Sequence, residues 1–314
     1  MGAYIVNRLW TGLITLFLVT FLVFGLLNLL PGDIVGTLMG DQGYTQAEAN
    51  KIRHELGLDK PIATRYVLWV GALSHGDFGQ SLVNGRPVSK IIRTSFPVSI
   101  ELAFIALIIS SAVGIPFGVY SAIRQDAWDD YAARLVSIVG YSTPAFWLGT
   151  VVIVFPAIWW GWVPPLFFVH IEDDPIGNLG FMIVPALVLA AGAAARNARL
   201  TRSQVLETLR EDYVRTARAK GITGVSLISR HVLRNALLPV ITQLGGSVIF
   251  LISGAVVVET IFSIPGIGTT LLSAIQHRDY PVISGVDLVI AVLVIGSHIL
   301  IDLSYKIADP RVTY

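Results

Sequence analysis

The feature that most constrains this chain is a series of long runs without a charged residue. The first run, residues 9–30, holds 22 residues, and a helix of that length is about 33 Å long, enough to cross a hydrocarbon core of about 30 Å. A secretory signal peptide is the alternative, but its apolar region spans only about 7–15 residues and precedes a small-residue cleavage site, which this sequence lacks. We therefore expect an uncleaved membrane helix.

Five further apolar stretches follow the first. In lipid, a chain must satisfy its own backbone hydrogen bonds, and stretches of this length do so as helices. We therefore predict an all-α polytopic membrane protein with six transmembrane helices embedded in membrane lipid. Pro144 and Pro156 are expected to kink the third stretch, and the fourth is expected to continue into the basic residues after it. The five stretches are residues 98–123, 135–163, 181–195, 236–262 and 282–301.

Composition excludes several classes of protein. The chain is 54% hydrophobic and only 14% charged, whereas a soluble domain carries about 25% charged residues. Its formal net charge of +1 gives no reason to expect a nucleic-acid partner. The sequence contains no cysteine, which excludes disulfides, thiolate metal sites and cysteine nucleophiles.

Lys and Arg residues are distributed unevenly among the short loops. Two lie between the second and third stretches and nine between the fourth and fifth, whereas the opposite loops hold only Arg278. Because cytoplasmic loops are enriched in Lys and Arg, the basic loops and both termini are predicted to be cytoplasmic. The segment 31–97 is predicted to lie outside, since loops of that length cross largely regardless of charge. The nine cations are Arg196, Arg199, Arg202, Arg210, Arg215, Arg218, Lys220, Arg230 and Arg234.

The predicted external segment, residues 31–97, has the pattern of a folded insertion. Thr45 and Glu48 fit a capping box that opens a helix ending near Gly57. Pro61 suits the first turn of a second helix, and Asn84-Gly85 is a turn signal. The segment is either a spacer that covers the helix bundle or a landing surface for an external partner.

The loop with nine cations, residues 196–236, has the pattern of two short helices. The first is predicted over residues 203–220, with Ser203 as its cap and Gly221 as its left-handed end, and the second over residues 226–239. A DNA-binding helix-turn-helix is excluded because the unit lies between two membrane helices and has no third helix. The loop is then either a solvated segment that sets orientation or a docking surface for a cytoplasmic protein, and two structured helices favour docking.

Two stretches of this loop resemble a known family. Asp212-Tyr-Val-Arg-Thr-Ala-Arg-Ala-Lys-Gly221 and Arg230-His-Val-Leu-Arg-Asn-Ala-Leu-Leu-Pro239 are similar to the cytoplasmic loop of permease subunits of ABC importers, in the dipeptide/oligopeptide branch. The general family motif has Glu-Ala-Ala where this chain has Arg215, Thr216 and Ala217, and the longer spacing from Gly221 to Pro239 is similar to the peptide branch. Six more stretches resemble that branch: Leu30-Pro-Gly-Asp33, Leu56-Gly-Leu-Asp59, Gly76-Asp-Phe-Gly79, Ser142-Thr-Pro-Ala-Phe-Trp-Leu-Gly149, Phe262-Ser-Ile-Pro-Gly-Ile-Gly268 and Arg278-Asp-Tyr-Pro281.

The resemblance implies a type I ABC importer permease fold in the bacterial inner membrane. It implies one transmembrane permease domain over residues 1–314, with an external insertion at 31–97 and a coupling loop at 196–236. The implied function is ATP-driven import of short peptides, with nickel or glutathione as alternative substrates because permeases for these are similar in the same motifs. The implied partners are a second homologous permease subunit, two ATP-binding cassette subunits and an external substrate-binding protein. The implied ATPase-coupling residues are Arg215, Thr216, Ala217, Arg218, Ala219, Lys220, Gly221, Arg230 and Arg234.

The chain itself is not predicted to be an enzyme. It contains no Gly-Lys dipeptide and therefore no phosphate-binding loop of the form GxxxxGK[ST]. We expect no cofactor in this chain, with ATP and Mg bound by the partner ATPase subunits. Arg202 lies before the predicted docking unit, and the eight remaining cations suffice to set orientation, so we expect Arg202→Gln to be nearly silent.

The region after the fifth stretch, residues 262–280, is irregular by sequence. Pro265, Gly266 and Gly268 are expected to prevent a regular helix, and the two glycines are expected to take positive φ. Irregular backbone near a membrane is tolerated where protein or a water-filled cavity covers it. The region is either a surface loop or, as the family resemblance favours, a re-entrant segment that lines an external gate.

Ionisable residues in the sixth stretch leave other functional classes to consider. His298 and Asp302 are four residues apart on one helical face, and a structural pair is the favoured interpretation. A proton-coupled secondary carrier using them as a relay is the alternative, but we find no internal repeats or matching broken helices. An intramembrane protease would need an activated serine or paired aspartates in mid-span, and no catalytic or metal-binding set is predicted.

Overall fold

The computed structural model describes residues 2–29, 46–55, 59–165 and 167–308. The chain divides into two compact units, the first formed by Met1–Pro97 with Gly266–Gly296 and the second by Val98–Pro265 with Ser297–Tyr314. In chain order the helices of the described residues are α1 (Gly2–Leu29), α2 (Gln46–Glu55), α3 (Ile62–Ser74), α4 (Val88–Ile123), α5 (Trp128–Ser142), α6 (Ala145–Trp160), α7 (Pro175–Leu209), α8 (Asp212–Ala219), α9 (Gly224–Leu227), α10 (Leu233–Phe262), α11 (Ile267–Gln276) and α12 (Tyr280–Ala308).

The predicted all-α polytopic architecture is confirmed. Among the described residues, five helical segments are long and apolar enough to cross a membrane, and α5 with α6 makes a sixth if the pair is counted as one span. This pair corresponds to the third predicted span, and its two helices are bent by 100°. The chain is therefore a multi-pass membrane protein, and its described residues include this sharply bent pair of apolar helices.

The break between α5 and α6 falls at Thr143 and Pro144. Both residues are extended, with ψ of 122° and 136°. For Thr143 the reason is local, because proline disfavours the helical conformation in the residue before it. Pro156 instead lies inside α6. The third stretch is therefore two helices rather than the single kinked helix that the sequence predicts.

The predicted continuation of the fourth span into the basic residues is confirmed, since α7 runs through them as one helix. Its N-cap is Asp174, whose carboxylate accepts hydrogen bonds from the N–H groups of Ile176 and Gly177 at 3.1 and 3.0 Å. The prediction that a new helix begins at Ser203 is wrong, since Ser203 lies inside α7. The buried residues of this part recur every three or four positions, as one continuous helix requires: Ala198, Thr201, Val205 and Thr208.

The segment predicted to be external contains α2, α3, a turn and the start of α4. α3 begins directly after Pro61, as predicted, whereas Thr45 and Gly57, the predicted cap and end of α2, lie outside the described residues. Gly85 is left-handed (φ 67°) in the predicted turn. α4 begins at Val88, so the last residues of the segment already belong to the helix of the second span.

α3 packs against the second half of α1 through aromatic side chains. The Tyr66 hydroxyl lies 2.9 Å from Oγ1 of Thr20, and its ring centroid lies 5.5 Å from those of Phe21 and Phe24. Trp69 lies beside Phe24 at 5.8 Å. These contacts hold α3 directly to a membrane helix.

In the second unit, α4 and α7 approach closely at two glycines. A Cβ added to Gly114 would lie 2.5 Å from the carbonyl oxygen of Ala194 and 2.9 Å from Asn197 Cβ, and one added to Gly118 would overlap the carbonyl oxygen of Ala198. Small residues four positions apart allow membrane helices to approach in this way. The contact sets the distance between α4 and α7 and holds the basic end of α7 in place.

Candidate functional site

The first helix of the predicted coupling loop, α8, ends in a glycine turn. Gly221 is left-handed with φ 83°, and its N–H donates to the carbonyl of Arg218 at 2.9 Å. The N–H of Ile222 donates to the carbonyl of Ala217 at 3.1 Å. Together these bonds form a Schellman motif, in which glycine avoids the strain that a Cβ would bring at this φ. The predicted helix end at Gly221 is confirmed.

α8 is anchored to the second unit along one face. Val214 is fully buried and Ala217 nearly so, and both pack with Val205 of α7 in one apolar cluster. The Tyr213 hydroxyl accepts a hydrogen bond from Nδ2 of Asn235 at 2.8 Å, which ties α8 to the start of α10. The orientation of α8 is therefore fixed by contacts with both α7 and α10.

The predicted second helix is continuous with the fifth span. It begins as α9, passes through a π-helical turn at Ile228–Val232, and continues as α10 without a break. Pro239 lies inside α10, so the prediction of a separate helix ending near Pro239 is wrong. A proline removes one helical hydrogen bond, but the buried neighbours Ala236 and Val240 pack this stretch against the unit. A force on α9 is therefore applied directly to a membrane helix.

Eight of the nine predicted coupling residues lie on the surface. Ala217 is the exception, since it belongs to the buried face of α8. Arg215 forms a loose ion pair with Asp212 at 3.4 Å, both side chains being largely exposed. Among the described residues, four exposed cations of this surface form no ion pair: Arg218, Lys220, Arg230 and Arg234. We call the exposed side of residues 212–234 the docking surface.

Two further features complete the docking surface. Val225 of α9 is 84% exposed, an unusual position for a branched apolar side chain beside so many cations. A groove of about 480 Å³ lies where α7 ends and α8 begins, with Glu207, Arg210, Glu211 and Asp212 in its lining. The docking surface thus combines one exposed apolar side chain, Val225, with several cations that form no ion pair among the described residues, and with a polar groove.

The three cations at the start of the basic loop lie on α7 and contact neighbouring helices. The Arg196 guanidinium lies 4.4 Å from the ring centroid of Phe250, and that of Arg199 lies 5.1 Å from the ring of Tyr141. Both distances suit cation–π contacts. Arg202 forms an ion pair with a buried carboxylate. Arg196 and Arg202 are therefore part of the packed fold, while Arg199 is exposed and contacts the ring of Tyr141.

Asp130 is the buried carboxylate, and it joins three helices. Arg202 donates to it through Nε and Nη2, both at 2.8 Å, and Ser121 of α4 donates its hydroxyl at 2.5 Å. The N–H of Asp126 donates at 3.1 Å, while Nη2 of Arg134 adds a charge contact at 3.2 Å without hydrogen-bond geometry. Asp130 is fully buried, and losing one partner of a buried pair costs about 3–5 kcal/mol. The ion pair removes the basis for expecting Arg202→Gln to be nearly silent, and we expect a loss of stability instead.

The neighbouring carboxylate, Asp129, points to the surface instead. It accepts hydrogen bonds from Nε of Arg124 at 2.8 Å and from the hydroxyl of Tyr120 at 2.7 Å. The hydrogen bond to Asp129, with its negative charge, raises the pKa of the Arg124 guanidinium. Exposed pairs of this kind contribute little to stability. Adjacent aspartates thus play different parts: Asp129 links α5 to the exposed end of α4, whereas the buried Asp130 also binds Arg202 of α7.

The predicted gate contains a short helix. α11 begins at Ile267 and includes Gly268, so the prediction that Gly268 prevents a regular helix is wrong. The expected positive φ values are wrong as well, because Gly266 has φ −92° and Gly268 is helical. Just before these residues, Ser263 is left-handed, with φ 54°. The chain passes from the second unit to the first between Pro265 and Gly266.

A buried aspartate fixes the turn between α11 and α12. The Asp279 carboxylate accepts hydrogen bonds from the Ser81 hydroxyl and from the N–H of Leu82, the latter at 3.0 Å. Arg278 before it is left-handed with φ 56°. The Arg278-Asp-Tyr-Pro281 motif thus holds the turn at residues 80–87 against the end of α11.

Of the predicted polar pair in α12, only His298 has a described side chain. It is exposed, and the Asp302 side chain lies outside the described residues. Glu259 of α10 is by contrast fully buried and accepts a hydrogen bond from the Ser99 hydroxyl at 2.5 Å. Glu259 is absent from the residues predicted from sequence, although an acid in an apolar stretch is a signal of a buried polar site.

Comparison with known proteins places this arrangement in a family. Residues 114–314 match the family described as "Binding-protein-dependent transport system inner membrane component", and residues 1–103 match the N-terminal family of the same membrane components. A Brucella abortus (strain 2308) protein named as a peptide transport system permease is 40% identical over 100% of both chains. The di/tripeptide transport system permease protein of Pseudomonas aeruginosa (strain UCBPP-PA14) is 39% identical and the dipeptide transport system permease protein of Escherichia coli (strain K12) 37% identical, each over 100% of this chain and 99% of the relative.

A solved structure shares the fold. The crystal structure of an amino acid ABC transporter with histidines matches with a TM-score of 0.54 and 14% sequence identity, covering 69% of this chain and 94% of that one. At this identity the likeness concerns the fold alone. With the family match over most of its length, the chain belongs to the inner-membrane components of binding-protein-dependent transport systems.

Proposed function

We propose that the chain is the permease subunit of an ATP-driven importer of short peptides. The observation that carries the proposal is full-length similarity to relatives named for di- and tripeptides and for dipeptides, at 39% and 37% identity. In this proposal the chain forms half of the translocation path and a second homologous permease subunit forms the other half. An external substrate-binding protein delivers the peptide.

The energy is supplied by two separate ATPase subunits, which bind ATP and Mg, while this chain holds no cofactor. The docking surface supports this division of labour in two ways. α8 is fixed to α7 and α10 by the contacts of Val214 and Tyr213. α9 leads directly into the span α10. An ATPase that moves α8 and α9 thereby moves a membrane helix, and exposed Val225 with its cationic neighbours is available for contact.

The docking surface and both termini face the cytoplasm in this proposal, and the predicted gate at Pro265, Gly266 and Gly268 faces outside. Labelling of single cysteines introduced into intact cells with an impermeant maleimide tests the orientation. Asn84 and Ser226 are both exposed. Asn84→Cys should react and Ser226→Cys should not, and labelling of Ser226→Cys in sealed cells would reverse the assignment.

Uptake assays test the substrate class. Cells carrying the complete transport system, with and without this chain, are given radiolabelled dipeptide, tripeptide, glutathione or nickel. We expect the chain to be required for accumulation of the two short peptides. Loss of nickel or glutathione uptake with unchanged peptide uptake would replace peptides by that substrate. No change with any of the four would refute the proposal.

A further inference from the structure

A cavity of about 290 Å³ lies between α4, α5 and α7 in the second unit, beside the Asp130 ion pair. Pockets for drug-sized ligands occupy about 300–1,000 Å³, so this cavity has room for one small charged group. Its polar lining consists of three arginines and three serines: Arg134, Arg199, Arg202, Ser121, Ser137 and Ser203. Such a density of donors is unusual among apolar helices.

Positive charge exceeds negative charge around the cavity. Among the described residues there, Asp130 is the one buried carboxylate, and it occupies Nε and Nη2 of Arg202. Asp126 lies 3.9 Å from Arg134, but its side chain is 65% exposed. Arg199 contacts only the face of Tyr141 and has no acidic partner among the described residues. About one guanidinium charge is therefore left without a counter-charge.

A buried donor without an acceptor also indicates that negative charge is missing at this cavity. Nε of Arg134 is buried and has no acceptor in the described part of the chain, although buried donors normally have one. Its Nη2 is close to Asp130 but poorly aligned with it. The Arg134 guanidinium is held in position by the Tyr131 ring at 4.2 Å. Arg134 therefore has the carboxylates of Asp130 and Asp126 nearby, but among the described residues its buried Nε lacks a hydrogen-bond acceptor and its Nη2 lacks an aligned one.

We propose that the cavity binds the phosphate group of an anionic phospholipid. Guanidinium groups match phosphate oxygens in both geometry and charge, and basic pockets between membrane helices suit anionic head groups. The apolar side of the cavity is open to an acyl chain, since Ile138 in its lining is 57% exposed and Val113, one turn along α4 from the lining residue Phe117, is 55% exposed. A free phosphate ion has the same charged oxygens as the head group but would leave this apolar side of the cavity uncovered.

Lipid binding to the delipidated full-length chain in detergent tests the site. Native mass spectrometry counts bound dioleoyl phosphatidylglycerol or dioleoyl phosphatidylcholine, with inorganic phosphate as a separate competitor. Arg199→Gln removes a cavity arginine that takes no part in the Asp130 pair. Arg196→Gln is the matched control, because Arg196 lies one turn earlier on α7 and contacts Phe250 rather than the cavity.

We expect one phosphatidylglycerol to be retained in preference to phosphatidylcholine. Arg199→Gln should weaken phosphatidylglycerol binding about 10-fold, as expected for the loss of one charge-assisted hydrogen bond. Arg196→Gln should leave phosphatidylglycerol binding unchanged. Displacement by millimolar inorganic phosphate would overturn the lipid assignment and give the site to a soluble anion. Equal retention of both lipids, or equal weakening by the two variants with both still monodisperse, would overturn the proposal.

Discussion

The basic loop contains two groups of cations that look alike in sequence and differ in structure. Arg202 on α7 has a side chain only 19% exposed and pairs with a fully buried carboxylate. Arg215 on α8 has a side chain 72% exposed, and its partner is 96% exposed. In the first group Arg202 neutralises Asp130 and Arg196 packs against Phe250, while the second group leaves its charge available at the surface. Counting Lys and Arg residues along a loop therefore predicts which side of the membrane the loop faces, but not whether a given cation packs the interior or lies on the surface.

The difference follows from what each helix packs against. α7 is wedged against α4 at Gly114 and Gly118, so its polar side chains must find partners on other helices. α8 buries only a narrow apolar face through Val214 and Ala217, and the remaining faces are solvated. A cation next to a close helix contact stabilises the fold, whereas a cation on a half-anchored helix is free for recognition.

Among the variants that test this difference, breaking the buried Asp130–Arg202 pair should cause the largest loss of stability. Arg202→Gln leaves Asp130 buried without its main counter-charge, which should cost about 3–5 kcal/mol. We expect a lower thermal midpoint for the purified chain and a reduced yield of folded protein. Arg210→Gln is the control, because Arg210 is exposed at the end of the same helix and should change little.

A second variant separates the charge from the packing. Replacing both members, Asp130→Asn with Arg202→Gln, removes the uncompensated charge and should recover part of the lost stability. Equal midpoints for Arg202→Gln and Arg210→Gln would show that the two groups of cations do not differ as their burial indicates.

The packing that holds α7 can be tested with glycines. Gly118→Ala places a methyl group against the carbonyl of Ala198, and overpacking of this kind costs about 1–3 kcal/mol. Gly180→Ala on α7 meets nothing within 4 Å and should be neutral or slightly stabilising, since alanine is the better helix former. Thermal midpoints that fall for Gly118→Ala and hold or rise for Gly180→Ala are expected. A stable Gly118→Ala would mean that α4 and α7 can separate without cost.

Much of this arrangement follows from sequence, and the rest depends on distant contacts. Hydrophobic run lengths predict the spans, and Gly221 predicts the end of α8, because both are local properties. The Asp130–Arg202 pair joins residues 72 positions apart, and no periodicity connects them. The right-angle break at Pro144 exceeds a predictable kink for the same reason: a proline allows a bend, but the surrounding packing sets its angle.

Substitutions at Gly221 test whether the role of the exposed cations depends on the direction in which α9 leaves α8. Gly221→Val has space for the side chain, but φ of 83° costs an L residue about 1–2 kcal/mol or redirects α9. We expect moderate loss of stability and, on the proposed function, loss of ATPase copurification. Gly221→Asn tolerates the left-handed conformation and should keep both. Full coupling in Gly221→Val would reduce the segment to a solvated loop.

The smallest expected effect on stability concerns a single exposed cation. Arg230 is exposed and forms no ion pair among the described residues, so Arg230→Gln should change the free energy of unfolding by no more than about 0.5 kcal/mol. If the docking surface meets an acidic partner, the same variant should slow association with the ATPase at low salt and lose this effect at high salt. Arg215→Gln is the matched control, because Arg215 is already partly neutralised by Asp212 and should slow association less. Association rates measured at two ionic strengths give the answer. A loss of stability comparable to that of Arg202→Gln, with unchanged association, would place Arg230 in the packed group and remove the distinction between the two halves of the loop.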